Sequence, residues 1–354
     1  ELLDSTWESP VALGAGPLTR NSKEILKAAG TPGLGAIVSK TAYYQDRDTP
    51  RPTMAAVAGG LINFDWSGSS ISRWEDYYNQ LQDCSSPVFA SFYDSERQRF
   101  LEMGSRLIGA GARALEVPIK TELTPTEVEK RFSLLARDTK APLVGKVGSS
   151  LPGLEEYCLA LEEGGAAAIS GINTIGPCLV LDKDGTPFLG NKKGYGYLSG
   201  TVLKEMALAT VYRIKETVDL PVIAGGGISS ARDVVDFLRA GASAVFLVTG
   251  AILQGLTVFE QITADLKEIM AEMGVQNLEQ IRGSSRELIR ENERWSKHIP
   301  VIDEELCTGC GRCVRSCIYD SLMLEDNIAQ HREQGENCFG CGLCITVCPV
   351  QAIN

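Results

Sequence analysis

A chain of 354 residues with 44% hydrophobic and 22% charged residues has the composition of a globular protein that buries a sizeable core, which argues against extended disorder. Its formal charge of −11 excludes a surface built to neutralise phosphates, so DNA and RNA are not expected partners. No apolar run approaches the ~20 residues of a membrane-spanning helix, and the opening ELLDSTWESP has neither a basic nor an apolar leader segment; no membrane partner and a cytoplasmic location are expected.

In chain order, eight short β-like runs alternate with longer helical stretches through residue 255. They are PVALGAG (10–16), AIVSK (36–40), PVFASF (87–92), ALEVPI (114–119), PLVGKV (142–147), AAAISGIN (166–173), PVIAGGG (221–227) and AVFLVTG (244–250). Eight strands with intervening helices over ~250 residues predict an α/β fold, the (β/α)8 TIM barrel. A doubly wound open sheet is the alternative; it usually needs fewer strands, and its nucleotide fingerprint is missing. Residues 256–300, including EQIRGSSRELIRENERWSK, are charged and helix-prone and are expected to form the last barrel helix and a linker. The expected division is a barrel over 1–265, a helical linker over 266–300 and a cysteine-rich module over 301–354.

Eight of the eleven cysteines fall between Cys307 and Cys348, which suits metal ligation better than a disulfide framework. They form two runs of C-x2-C-x2-C-x3-C: Cys307, Cys310, Cys313, Cys317, then Cys338, Cys341, Cys344, Cys348. This resembles the bacterial two-cluster ferredoxins, a small α+β fold in which three cysteines of a run hold one cubane and the fourth ligates the other. The resemblance implies one 4Fe-4S cluster on Cys307, Cys310, Cys313 and Cys348, and a second on Cys338, Cys341, Cys344 and Cys317. Zinc held by C-x2-C pairs is the alternative. The module carries eight acidic residues against Arg312, Arg315 and Arg332, so an acidic electron carrier is expected to dock on a basic patch of a redox partner.

Barrel enzymes place their chemistry at the C-terminal ends of the strands. Lys40-Thr41 end the second run, Lys146 lies in the fifth, Asn173-Thr174 end the sixth, Gly225-Gly226-Gly227 the seventh and Thr249-Gly250 the eighth. Glycines after the seventh strand and a turn into a short helix after the eighth suit a phosphate, although tight-turn geometry alone would also select them. Two lysines in apolar strand context ask for a partner. The negative charge of a reduced flavin would supply one; a salt bridge or a snorkelling stem is the alternative.

Taken together, GAGPLT, IVSKT, PRP with LIN, INTI, DGTP, GYLSG, VIAGGGIS with Asp233, and AGASAVFLVTG resemble the FMN barrel of the dihydroorotate dehydrogenases. They are more similar still to the pyrimidine-reducing domain of dihydropyrimidine dehydrogenase, which also ends in a two-cluster ferredoxin module. The resemblance spans nearly the whole chain. It implies FMN held by Ala15, Gly16, Lys40, Thr41, Lys146, Ser199, Gly200, Gly226, Gly227, Thr249 and Gly250, with Asn63, Asn173 and Thr174 facing a polar cyclic substrate. It fails after the fourth strand. There the family has a segment resembling N-x-S-C-P whose Cys transfers a proton, and here Glu116, Pro118 and Ile119 stand in the places of its Asn, Ser and Cys. Glu116 or Lys120 as a relocated acid, Cys178 reaching across, or protonation by water are the three readings this leaves; a structural ion pair with a neighbouring Lys or Arg is the alternative for Glu116, and an inert thiol that for Cys178.

No G-x-G-x-x-G opens a helix and no Walker A sequence occurs, so electrons are expected to pass to an external partner, either an FAD and NAD(P)H flavoprotein subunit or a soluble ferredoxin. An oligomer or heteromeric complex follows from that. The leading reading is an FMN and iron-sulfur oxidoreductase that forms or reduces a C=C bond in a small polar molecule. Its competitors are an electron-transfer subunit whose barrel lacks substrate chemistry, and a phosphate-binding barrel such as an isomerase, which would leave the clusters without a task.

Overall fold

The computed structural model describes residues 2–290 and 298–354. The chain divides into two compact units, Glu1–Ile289 and Arg290–Asn354. Its strands are β1 (Val11–Leu13), β2 (Ala36–Val38), β3 (Met54–Val57), β4 (Gly60–Asn63), β5 (Val88–Ser91), β6 (Leu115–Pro118), β7 (Leu143–Val147), β8 (Ala168–Gly171), β9 (Ile175–Leu179), β10 (Tyr195–Ser199), β11 (Val222–Gly225), β12 (Ala244–Leu247), β13 (Leu322–Glu325) and β14 (Ile328–His331).

The order β1-β12-β11-β8-β7-β6-β5-β2 closes on itself as a parallel barrel, and each of the eight runs read from the sequence supplies one of its strands. These runs are mainly apolar because both strand faces are covered. Along them Val38, Phe89, Val144, Ala168, Ile223 and Phe246 fill the barrel interior, while Ile37, Leu115, Leu143, Ile169 and Val245 pack in the larger core formed with the helices. Strand periodicity of two carries the inward parity on to Lys40, Ser91, Glu116, Lys146 and Ser170. The apolar interior therefore gives way to a polar layer at the C-terminal mouth.

A second sheet, in the order β3-β4-β10-β9, is antiparallel and joins the excursion after β2 to the excursion after β8. Its central register pairs Tyr197 with Asn63 and Ser199 with Leu61. Sequence patterning does not find it, because β3 is MAAV and β9 is IGPCL, both poor in β-branched residues and the latter interrupted by Gly and Pro.

Residues 266–289, expected to begin the linker, pack within the first unit. The helix Val258–Glu272 buries Phe259, Ile262 and Leu266, Ile281 is fully buried, and Arg286 pairs with Glu216 at 2.7 Å. Part of that expected linker, 291–297, lies outside the described residues. In the second unit the helices Arg312–Ser316 and Leu343–Val347 each follow a glycine in the left-handed region, and β13 and β14 form a hairpin. Backbone bonds between Val301 and Asn354 tie its two ends together. Among the described residues no helix is long and apolar enough to cross a membrane.

Candidate active site

A cleft opens at the C-terminal mouth of the barrel, where barrel enzymes place their chemistry. One wall is the turn after β11. Gly226 and Gly227 have φ of 112° and 88°, and a Cβ on Gly227 would lie 2.6 Å from the Cα and N of Lys204, so only glycine lets that backbone pass. Lys204 is in turn held by Asp233 at 2.6 Å and Asp236 at 2.8 Å. Asp233 also accepts the backbone N-H groups of Ser229 and Ser230, both at 2.9 Å. Burial pushes the Asp233 carboxyl up, but the bonds from Lys204 and these two serines outweigh it and hold it below the usual range.

The other walls come from separate elements. Thr249 and Gly250 open the short helix after β12, and the Thr249 hydroxyl donates to Ser199 Oγ at 2.8 Å, linking the barrel to the antiparallel sheet. Ala15 and Gly16 follow β1, Asn173 and Thr174 follow β8, Asn63 ends β4, and Gly200 follows β10. All of these, together with Gly226, Gly227 and Lys146, line the one cleft. Lys146 is the only charged residue among its described lining. A glycine turn, one cation and neutral polar side chains form a donor set that fits a flavin mononucleotide.

Lys40 and Thr41 fall outside that lining. The Lys40 ammonium lies 2.6 Å from Asp65 and 3.3 Å from Ser67, so the partner that the sequence seemed to lack is a carboxylate two residues beyond β4. Burial raises the Asp65 carboxyl, while bonds from Lys40 and Ser67 bring it below its ordinary value. Thr41 shares a hydrogen bond of 3.0 Å with Ser91.

Glu116, expected at the strand end as a proton donor, is 1% exposed and does not line the cleft. Its carboxylate accepts from Lys146 Nζ at 3.4 Å and from Ser170 Oγ at 3.2 Å, so it stands behind two residues that do. Inward parity in AISG marks Ser170; nothing in the sequence marks the pairing. Lys120 follows β6, with its ammonium 5.9 Å from the ring centre of Trp66 and 5.8 Å from that of Tyr93. Burial lowers its pKa, Glu122 opposes the shift and Lys146 adds to it. Trp66 itself stacks between Phe64 at 5.1 Å and Tyr197 at 5.6 Å. Ile119 is buried, and Cys178 sits in β9 outside the cleft lining.

In the second unit, Cys307, Cys313, Cys317, Cys344 and Cys348 surround the small core of Leu322, Ala329 and Ile353. Backbone N-H groups of Ala329, Ser321 and Ala352 point at the sulfurs of Cys307, Cys317 and Cys348 at 3.4, 3.3 and 3.2 Å, as suits thiolates that carry charge. No three ligand side chains among the described residues converge as a single ion requires. A cubane asks for less convergence, because each thiolate takes a different iron.

The family described as dihydroorotate dehydrogenase matches residues 1–270, and the one described as 4Fe-4S dicluster domain matches residues 300–354. The catalytic subunit of dihydroorotate dehydrogenase B (NAD(+)) from Pyrococcus horikoshii is 30% identical over 296 residues, covering 80% of this chain and 96% of that protein. Its counterpart from Pyrococcus furiosus is 28% identical over 300 residues, covering 81% and 98%. The crystal structure of a dihydroorotate dehydrogenase from Eimeria tenella in complex with ferulenol superposes with a TM-score of 0.70 at 18% identity, over 81% of this chain and 88% of that one. At that identity the likeness concerns the fold alone.

Proposed function

The chain belongs to the dihydroorotate dehydrogenase family and carries a 4Fe-4S dicluster domain, and on that premise we propose that it is an FMN and iron-sulfur oxidoreductase that forms or reduces a C=C bond in a small, polar, pyrimidine-like ring. Two 4Fe-4S clusters, on Cys307, Cys310, Cys313 and Cys348 and on Cys338, Cys341, Cys344 and Cys317, exchange its electrons with an external redox partner. The observation that carries this reading is the cleft that gathers the glycine turn, Lys146, Asn63, Asn173 and Thr174 at one barrel mouth.

When bound, FMN would supply hydride chemistry toward the ring and one-electron transfer toward the clusters. The chain's residues do the rest. Gly226, Gly227 and Gly250 would present backbone to the FMN phosphate, and Ser199, fixed by Thr249, lines the cleft from the antiparallel sheet. Asn63, Asn173 and Thr174 orient the polar edges of the ring. Lys120, half-buried beside Trp66 and Tyr93 and outside the cleft's described lining, is the side chain we assign to proton handling, since partial desolvation lowers its pKa and eases release of its proton. The relatives' name, catalytic subunit of an NAD(+)-linked enzyme, supports a partner that meets the nicotinamide.

Ile119, buried where the family's proton-transferring Cys stands, favours a second reading in which the barrel only relays electrons. The composition of the anaerobically purified chain tests what the readings share: one FMN with about eight iron and eight sulfide. Zinc without sulfide, or no flavin, overturns both. Reoxidation of the reduced flavin by a pyrimidine separates them.

A further inference from the structure

Among the described residues the cleft has one charged lining residue, and that charge is already matched. Lys146 on β7 faces the cavity; Glu116, one strand away on β6, is buried behind it at 3.4 Å, and Ser170 on β8 fixes the other carboxylate oxygen at 3.2 Å. The register enforces the arrangement, because β6, β7 and β8 are adjacent and Lys146 pairs across with Pro118 and with Ser170. The other groups of this polar layer are neutral or engaged elsewhere: Ser91 bonds Thr41, and Lys40 is held by Asp65.

We propose that Glu116 is a positioning residue that sets the reduction potential of the bound flavin, by neutralising the one cation the cleft presents. The inference rests on FMN occupying the cleft. A flavin gains negative charge on reduction, and a cation beside the ring favours the reduced form. With Glu116 as its counter-charge, Lys146 contributes little of that stabilisation. The oxidised form is then favoured, and reduced flavin becomes a stronger electron donor. Such a potential suits a flavin that must pass electrons to cubanes, whose potentials extend far to the negative side. The cationic wall expected from two lysines is thus electrostatically close to neutral, each lysine having its own carboxylate.

The test is a spectroelectrochemical titration of the full, cluster-loaded chain that follows the flavin absorbance. Glu116→Gln keeps the shape and the hydrogen-bonding capacity toward Ser170 but leaves Lys146 uncompensated. It should favour reduced flavin at least tenfold, which is about 30 mV upward for a two-electron couple. Glu116→Gln combined with Lys146→Met removes both charges and should return the potential to within that margin of wild type. This second variant leaves no buried charge alone, so it remains informative if the single variant folds poorly. A wild-type chain that binds FMN while Glu116→Gln leaves its potential unchanged overturns the inference and spares the proposed function. A double variant whose potential falls by 30 mV or more overturns it too, since Lys146 would then have acted uncompensated. A wild-type chain that takes up no FMN removes both.

Discussion

Replacing Gly227 with Ala should do more harm than the same change at another glycine of like conformation, and the structure gives the margin. Gly227 has φ of 88°, which costs an L-residue about 1–2 kcal/mol. Its new Cβ would also meet the Cα and N of Lys204 at 2.6 Å, where real Cβ atoms are not found. Those are backbone atoms, and Lys204 is anchored by Asp233 and Asp236, so overpacking adds about 1–3 kcal/mol. Gly185 has φ of 85° with nothing within 4 Å of a new Cβ, so Gly185→Ala pays the strain alone. At roughly 2 °C per kcal/mol for a unit of this size, the barrel transition of Gly227→Ala should fall by about 4–10 °C, and that of Gly185→Ala by about 2–4 °C. Thermal melts by circular dichroism give both shifts, and fluorescence titration with FMN should show weakened binding only for the first. Equal melting shifts with equal FMN affinity would refute the claim that close backbone approach at this turn builds the site.

Asp233→Asn should lower stability at neutral pH by about 2 kcal/mol, from the lost charge-assisted bonds to Lys204 and the serine backbone. Because the Asp233 pKa is lowered on folding, its contribution is present above the ordinary carboxylate pKa and fades as pH falls through the lowered value. Denaturant titrations from pH 7 downward should therefore show a shallower acid loss in the variant than in wild type. Asp65→Asn strands the Lys40 ammonium, 11% exposed in its side chain, and should cost about 3 kcal/mol by denaturant unfolding, with FMN binding retained. Cys348→Ala should lower the iron of the purified chain toward about four per molecule, the loss falling on the cluster of the first run. Lys120→Met should slow substrate turnover by about 10²- to 10⁴-fold while a chemical reductant still reduces FMN at the wild-type rate.

The barrel was legible because each parallel strand is buried on both faces and so stands out as an apolar run; PVFASF and AVFLVTG could hardly be anything else. The cysteine module was legible because cubane ligation fixes spacing within a few residues. Glycines at strand ends pointed to the cleft because a close backbone approach leaves a residue-level mark, as at Gly226 and Gly227. Charge pairing left no such mark. Lys40 finds Asp65 from the far end of the same excursion after β2, and Lys146 finds Glu116 from the next strand, through contacts that no local pattern encodes. The sequence left Glu116 open between a relocated acid and a structural ion pair, and the structure shows the pair with Lys146. The antiparallel sheet escaped because its two halves, β3-β4 and β9-β10, join across more than a hundred residues and β3 and β9 are weak β-formers.

The central claim is that substrate chemistry occurs at a barrel flavin wired to the cysteine module. Anaerobic stopped-flow mixing of the photoreduced, cluster-loaded chain with a panel of pyrimidines and related enones, read at wavelengths that separate flavin from clusters, tests it most directly. At least one pyrimidine should reoxidise the flavin first, with cluster bleaching reversed afterwards as electrons return through the barrel. Flavin that stays reduced with every member of the panel, yet is promptly oxidised by a soluble electron acceptor, would contradict it.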